Sequence, residues 1–345
     1  MNVQQNSTPH QEGILCFGNW IVDRIKTIPS YPAKSLLAMI QNQTSSIGGG
    51  ATNVAVDLAK MDPTLPVYAG GVIGQDTDGD YILRYIQELN INTQYMRQTN
   101  QVPTSYTEVM LDQSDRTRTF FHFPGANALL SYADFIKIKV KAKICYIGYL
   151  NVLEEFEKSD AGYGNMAAKT LAWLKEKRFI TVADLTSGMT DFNNLLSPCL
   201  KYIDYLVISE IEAGVLSKKQ VRETNGRIDF NALESASRSL IKKGVQKYVI
   251  IHFPEGTVAM GAKYQIHRAS SYSIEKKQIV SAVGAGDAFC SGILYGVHQG
   301  LPIQKSLDLG SANAYFNLLH TTACEGAVPI KKVNELIQSA KTTKS

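Results

Sequence analysis

Short runs of β-branched and aromatic residues alternate along this chain with longer segments of helical period. That alternation confines it to α/β folds built from βα units around a largely parallel sheet. Strands are expected at 14–19 (ILCFGN), 66–74 (PVYAGGVIG), 143–150 (KICYIGYL), 179–185 (FITVADL), 205–209 (YLVIS), 247–253 (KYVIIHF) and 277–283 (KQIVSAV). Helices are expected at GATNVAVDLAKM, DYILRYIQELN, NMAAKTLAWLKEKR, NALESASRSLIKKG and GDAFCSGILYGVHQG. Two stretches break the rhythm. Residues near 20–47 and near 95–123 alternate polar and apolar positions among turn formers, which suits half-exposed antiparallel strands. They predict a small β-sheet set apart from the core as a lid; an extended edge of the main sheet is the other arrangement this pattern permits. One domain over 12–332 follows, with loose tails at 1–11 and 333–345.

Such a sheet serves many chemistries, and composition removes some of them. The 35 basic and 31 acidic side chains are spread along the chain and leave a net charge of +4, so no basic stripe points to nucleic acid or an anionic membrane. No run approaches the ~20 apolar residues of a membrane span, and the first residues carry no signal-peptide pattern. Cys16, Cys145, Cys199, Cys290 and Cys324 are far apart, without a C-x-x-C pair, and the six histidines show no metal-ligand spacing. A soluble cytoplasmic protein with reduced thiols is expected. Small anionic ligands remain open to it.

Two glycine stretches carry the chemistry. In IVSAVGAGDAFCSGILYG (279–296), small residues Gly284, Ala285 and Gly286 stand between a β-branched run and an apolar helix. A helix starting there leaves its first N–H groups without intrahelical partners at the positive end of the macrodipole, and small side chains let a phosphoryl group approach them. Asp287 falls in the first turn. It is either a first-turn acid that balances the dipole or a base that takes the proton of an attacking hydroxyl while the amides stabilise the transferred group. In IGGGATNVAVDLAKM (47–61), Gly48, Gly49 and Gly50 lead into another helix with Asn53 near its start, and Asp23 lies just after the first strand. Together Asp23 and Asn53 suit a polyol; singly each reads equally as a turn former or cap. A dinucleotide fingerprint is excluded, because Phe289 stands where its third glycine would be, and no G-x-x-x-x-G-K-[ST] P-loop occurs.

Taken together, the two stretches resemble the ribokinase-like (PfkB) family of carbohydrate and nucleoside kinases. Gly48, Gly49, Asn53 and Ala55 match its early G-G-x-x-x-N-x-A segment, and Gly284 to Asp287 match the end of its late D-T-x-G-A-G-D segment. Further family-like pieces follow in order at 70–79, 116–130, 145–150, 209–213 and 324–329. The resemblance implies a three-layer α/β/α domain with a β lid and phosphoryl transfer from ATP with Mg²⁺. By it Asp287 is the catalytic base, Gly284 to Gly286 form the anion hole, and Asp23, Gly48, Gly49 and Asn53 hold sugar hydroxyls. It places Glu212 near the water shell of Mg²⁺, Ser209 and His252 on the nucleotide side, and Gly256 and Asn313 near the adenine. Arg118 faces the site from the lid or pairs with a nearby acid, and exposed lid edges would suit a homodimer.

Departures from the family pattern cluster on the nucleotide side. The family's Asp-Thr before the glycines is Ser281-Ala282, which puts a monovalent-cation requirement in doubt. Its N-x-x-E is Ser209-x-x-Glu212, its D-P-N-x-R keeps Asp184 without the arginine, and its T-x-G-x-x-G loop reads HFPEG, where Pro254 removes a donor. Three readings therefore stand: a kinase of small sugars such as fructose or ribose, an adenosine-type nucleoside kinase, or a sugar-binding sensor that transfers nothing.

Overall fold

A computed structural model describes residues 12–115, 117–188 and 192–342. β1 (Gly13–Gly18) opens the core, and β2 (Ile21–Ile28) and β3 (Asn42–Gly48) leave it as an antiparallel pair. α1 (Gly50–Met61), β4 (Val67–Gly74), α2 (Thr77–Glu88) and β5 (Asn92–Thr99) return to it. β6 (Tyr106–Asp112) and β7 (Arg118–Phe123) form the second excursion. After one-turn α3 (Tyr132–Phe135) come β8 (Ala142–Gly148), one-turn α4 (Glu154–Glu157), a two-residue ribbon of β9 (Ser159–Asp160) and β10 (Gly164–Asn165), and α5 (Met166–Glu176). β11 (Ile180–Ala183), one-turn α6 (Asn193–Leu196), β12 (Tyr205–Ser209), α7 (Glu210–Ser217), α8 (Phe230–Lys242) and β13 (Tyr248–Phe253) continue the alternation. The chain ends on β14 (Gly256–Gly261), β15 (Ile266–Ser270), α9 (Ala285–His298), α10 (Ile303–Leu318) and α11 (Ile330–Thr342).

Nine strands form one sheet in the order β15-β14-β13-β12-β11-β8-β1-β4-β5, parallel except where β14 and β15 join. Successive residues of a strand face opposite sides, so Leu15 and Phe17 pack with α5, α7 and α8 while Ile14 and Cys16 pack with α1, α2 and α9. The result is the expected α/β/α sandwich. β1 is buried along its whole length, as a strand covered on both faces must be. The two excursions meet in a separate four-stranded sheet, β3-β2-β6-β7, where β2 and β6 run parallel.

Three boundaries differ from expectation. β5 pairs with β4 at the edge of the main sheet, so only β6 and β7 of the second odd stretch belong to the small sheet. No strand forms at 277–283: Lys276–Gln278 is a single 3₁₀ turn, and the amide of Val280 bonds the carbonyl of Leu318 at the end of α10. The sheet edge that such a strand would need is already taken by the β14–β15 hairpin. Residues 333–342 are helical, because Val333 of α11 packs into a small cluster with Leu309 and Ala312 of α10. The tail expected at 1–11 and residues 343–345 lie outside the described residues.

Candidate active site

The C-terminal ends of the parallel strands and the small sheet enclose a cleft of about 1880 Å³. Its floor is the start of α9. Gly284 caps that helix with φ 79 and no side-chain acceptor. Only glycine holds this conformation without strain, and a β-carbon here would also press on Ala323 at 2.6 Å. Among the described residues no acceptor meets the amides of Gly286 and Asp287, whereas the amide of Ala285 bonds the carbonyl of Ala282 at 3.2 Å. Gly284, Gly286 and Asp287 line the cleft; Ala285 does not. The amide of Gly284 is likewise without an acceptor among the described residues, so the free donors are Gly284, Gly286 and Asp287, and Ala285 serves the turn.

Asp287 is buried, and Oδ2 accepts from Asn53 Nδ2 and from Tyr149 Oη, each at 2.8 Å. Burial pushes its carboxyl up to about 6; the two donors pull it down, and the charge of Glu212 adds to the rise. At neutral pH it is therefore mostly ionised and close enough to its titration point to accept a proton. Asn53 reaches it because α1 and α9 pack side by side on the same face of the sheet, and one turn further along Ser291 donates to Asp57 at 3.3 Å.

Asp23 stands on β2, on the lid side of the cleft. Burial raises its carboxyl to about 7, with the Arg118 guanidinium lowering it and the Asp287 charge raising it. A β-carbon on Gly48 would lie 2.2 Å from Asp23 Oδ2, so Gly48 acts by making room for that carboxyl. Gly48 itself does not border the cleft, and Gly49 does. Arg118 lines the cleft and spans from the small sheet to the carbonyl of Thr321 at 3.2 Å, a link between lid and floor. Sequence reasoning missed Asn19, whose amide nitrogen and oxygen are buried without partners at the cleft, and Tyr149. Neither has a glycine pattern to flag it.

On the opposite wall, Ser209 and Glu212 form a capping box at the start of α7, Glu212 Oε2 accepting from the Ser209 amide at 2.7 Å. Ser187 donates to Glu212 Oε1 at 2.7 Å. Glu212 is raised by burial and these bonds oppose the rise. It lines the cleft with Asp184, which accepts from the amide of Tyr149 at 2.7 Å and is itself pushed up by burial and by the charges of Asp287 and Glu212. His252 is half-buried over Gly286, where a β-carbon would lie 3.1 Å from its Cε1, and desolvation lowers it to about 4, so the ring is neutral. Two expected nucleotide residues are elsewhere. Gly256 packs against the carbonyl of Ala269 inside the β14–β15 hairpin, and Asn313 is fully buried, donating to the carbonyl of Ala288 and to Ser291, both at 2.8 Å. Neither borders the cleft. No group of three His, Cys, Asp or Glu among the described residues is arranged to hold a metal directly.

The model of the pfkB family of carbohydrate kinases matches residues 11–331. A probable fructokinase-6, chloroplastic, of Arabidopsis thaliana is 25% identical over 344 residues, covering 97% of this chain and 83% of the relative. A 5-dehydro-2-deoxygluconokinase of Listeria innocua is 23% identical over 297 residues, covering 85% of this chain and 87% of the relative. Among solved structures, a ribokinase of Arabidopsis thaliana complexed with ribose and ATP superposes with a TM-score of 0.78 at 21% identity, covering 95% of this chain and 99% of that one. A ribokinase of Thermotoga maritima gives 0.77 at 20% identity over the same shares.

Proposed function

The chain belongs to the pfkB family of carbohydrate kinases, and from that premise we propose that it moves the γ-phosphoryl group of ATP to a hydroxymethyl group of a small sugar, with Asp287 as general base. The observation that carries this reading is the pair of free amides at Gly286 and Asp287 beside a cleft-lining carboxylate whose second oxygen, Oδ1, is left to a further donor. Asp23, Asn53 and Gly49 orient the acceptor so that its hydroxyl proton points at Asp287. The proton passes to the carboxylate, the hydroxyl oxygen bonds the γ-phosphorus, and the bond to the β-phosphate oxygen breaks to release ADP. The two amides and the dipole of α9 stabilise charge on the moving group. Mg²⁺ would sit among phosphates and water with Glu212 and Asp184 as outer acceptors, since hard cations favour oxygen and keep several waters. Such an ion would offset the repulsion between these acids and ATP.

Fructose is the first acceptor to test, because one relative is named a fructokinase; ribose, a deoxy-keto sugar acid and adenosine complete the panel. Purified protein with ATP and Mg²⁺ should release ADP when one of the sugars is added. Turnover with adenosine alone would shift the reading to a nucleoside kinase. Sugar binding without any ADP release would make the protein a sensor and sink the proposal.

Two quieter proposals complete the picture. The five cysteines are all buried and unpaired, which suits a reducing cytoplasm, and no helix among the described residues is long and apolar enough to cross a membrane. The lid exposes Leu37 (83%), Met39 (69%) and Phe121 (51%) around its two free strand edges, which favours a homodimer through the lid. Light scattering at micromolar concentration should give twice the chain mass, and a monomer would remove this assignment.

A further inference from the structure

Tyr149 follows β8 directly and holds φ 52, a left-handed backbone that non-glycine residues seldom keep. Its surroundings force it there: Asp184 Oδ1 accepts its amide at 2.7 Å, and the next amide, Leu150, bonds the carbonyl of Asp184 at 3.2 Å. The ring lies along the start of α1, where a β-carbon on Gly50 would come within 2.7 Å of Cδ1. Strain and a glycine are thus both spent on aiming one phenol. Its hydroxyl meets Asp287 Oδ2, the same oxygen that Asn53 engages from the other side. Two donors on a single oxygen fix the plane of the carboxyl group and leave Oδ1 for the cleft.

We propose that Tyr149 is the positioning residue of Asp287: with Asn53 it clamps Oδ2, turns Oδ1 to the acceptor hydroxyl, and holds the carboxylate in its proton-accepting form. This rests on the assignment of Asp287 as base. Glu212 of α7 is the carboxylate whose charge raises Asp287, while the Asp287 charge in turn raises Asp23 of β2, Asp57 of α1 and Asp184 after β11. The thiols of Cys290 and Cys324 and the phenol of Tyr146 also interact with Asp287 and are raised by burial, so they stay neutral. Neutral His252 stands over Gly286, and the Arg118 guanidinium acts on Asp23. Against burial and the Glu212 charge, the donors Asn53 and Tyr149 are what hold Asp287 down. Tyr149 itself stays neutral, because burial and the Asp287 charge raise it, so it donates at every working pH.

The test uses the whole chain labelled with ¹³Cγ-aspartate, the Asp287 resonance being the one that Asp287→Asn removes. In Tyr149→Phe its titration should move up by about one pH unit, roughly the worth of one hydrogen bond to a charged group. With ATP, Mg²⁺ and D-fructose, kcat at pH 7 should fall about tenfold while KM stays within about twofold, and part of the loss should return by pH 9. Gly50→Ala, which displaces the ring while keeping the hydroxyl, should move the resonance the same way and serves if Tyr149→Phe does not fold. An unchanged Asp287 titration in either folded variant overturns the inference. The base assignment fails separately: Asp287→Asn would then keep parental ADP release whatever Tyr149→Phe does.

Discussion

The two walls of the cleft are built on different plans. On the wall proposed for the acceptor, Asn53 of α1 and half-buried Tyr149 after β8 both donate to buried Asp287 of α9, and half-buried Asp23 of β2 feels the Asp287 charge. The wall proposed for the nucleotide is made of an irregular segment at 279–283 with Val280 half exposed, a capping box at α7 and a neutral imidazole. A polyol is recognised by directed donors and acceptors, each of which needs a particular side chain, whereas a triphosphate is held largely by backbone amides and a cation that many sequences can supply. The departures from the family pattern collect on the second wall, where they cost least.

The sharpest break of this contrast lies at its seam. Asp287→Asn should lower kcat by about 10²–10⁴-fold with both KM values little changed, as expected for loss of a general base acting in the transition state. Steady-state ADP release on a variant with a parental circular dichroism spectrum checks it. Loss confined to either KM would place Asp287 on one wall alone.

The next effect separates the walls. Asp23→Ala removes a charged acceptor from the lid side, so the KM of the sugar should rise about 10–100-fold while that of ATP holds, given the worth of hydrogen bonds to charged groups. Equal rises in both would show that the walls are not independent. This wall was also the more legible in the sequence, for a physical reason. Glycines before a helix encode a local geometry, and Gly48, Gly49 and Gly284 lie within a few residues of what they position. Asn313 and Gly256 had no such local signature. Their expected adenine contacts depended on how α10 and the β14–β15 hairpin pack, which spacing along the chain does not encode. Tyr149 and Asn19 were silent for the same reason. In the fold, alternation disclosed the layers and the lid, while strand and loop could not be told apart at 277–283, where a β-branched run met a sheet edge already filled.

A smaller effect is pH dependence. The acid limb of kcat/KM should fall near pH 6, where Asp287 takes up its proton, and activity should be lost below it. Stability should run the other way. Asp23, raised to about 7, and Asp287, raised to about 6, hold protons more tightly folded than unfolded, so their contribution is full below the ordinary carboxylate range near pH 4. It is lost as pH rises through 6 to 7. Thermal melts should show a gain at pH 8 in Asp23→Asn that vanishes at pH 4; a gain that persists at pH 4 would show that its source is not the ionised carboxyl.

The smallest effect on turnover is expected at Asn313, and it tests whether the nucleotide wall ends where the cleft ends. Its amide ties α10 to α9 through the carbonyl of Ala288 and through Ser291, which also donates to Asp57. Replacing it with alanine leaves those buried groups short of donors, which costs about 1–3 kcal/mol of stability. Because its side chain is separated from the cleft by the first turns of α9, the KM for ATP should stay within about twofold of the parent. A tenfold rise in that KM with an unchanged melting temperature would mean that the adenine reaches behind α9 and that the nucleotide wall includes α10. The expected result, stability lost and affinity kept, makes Asn313 a brace for the helix that carries Asp287.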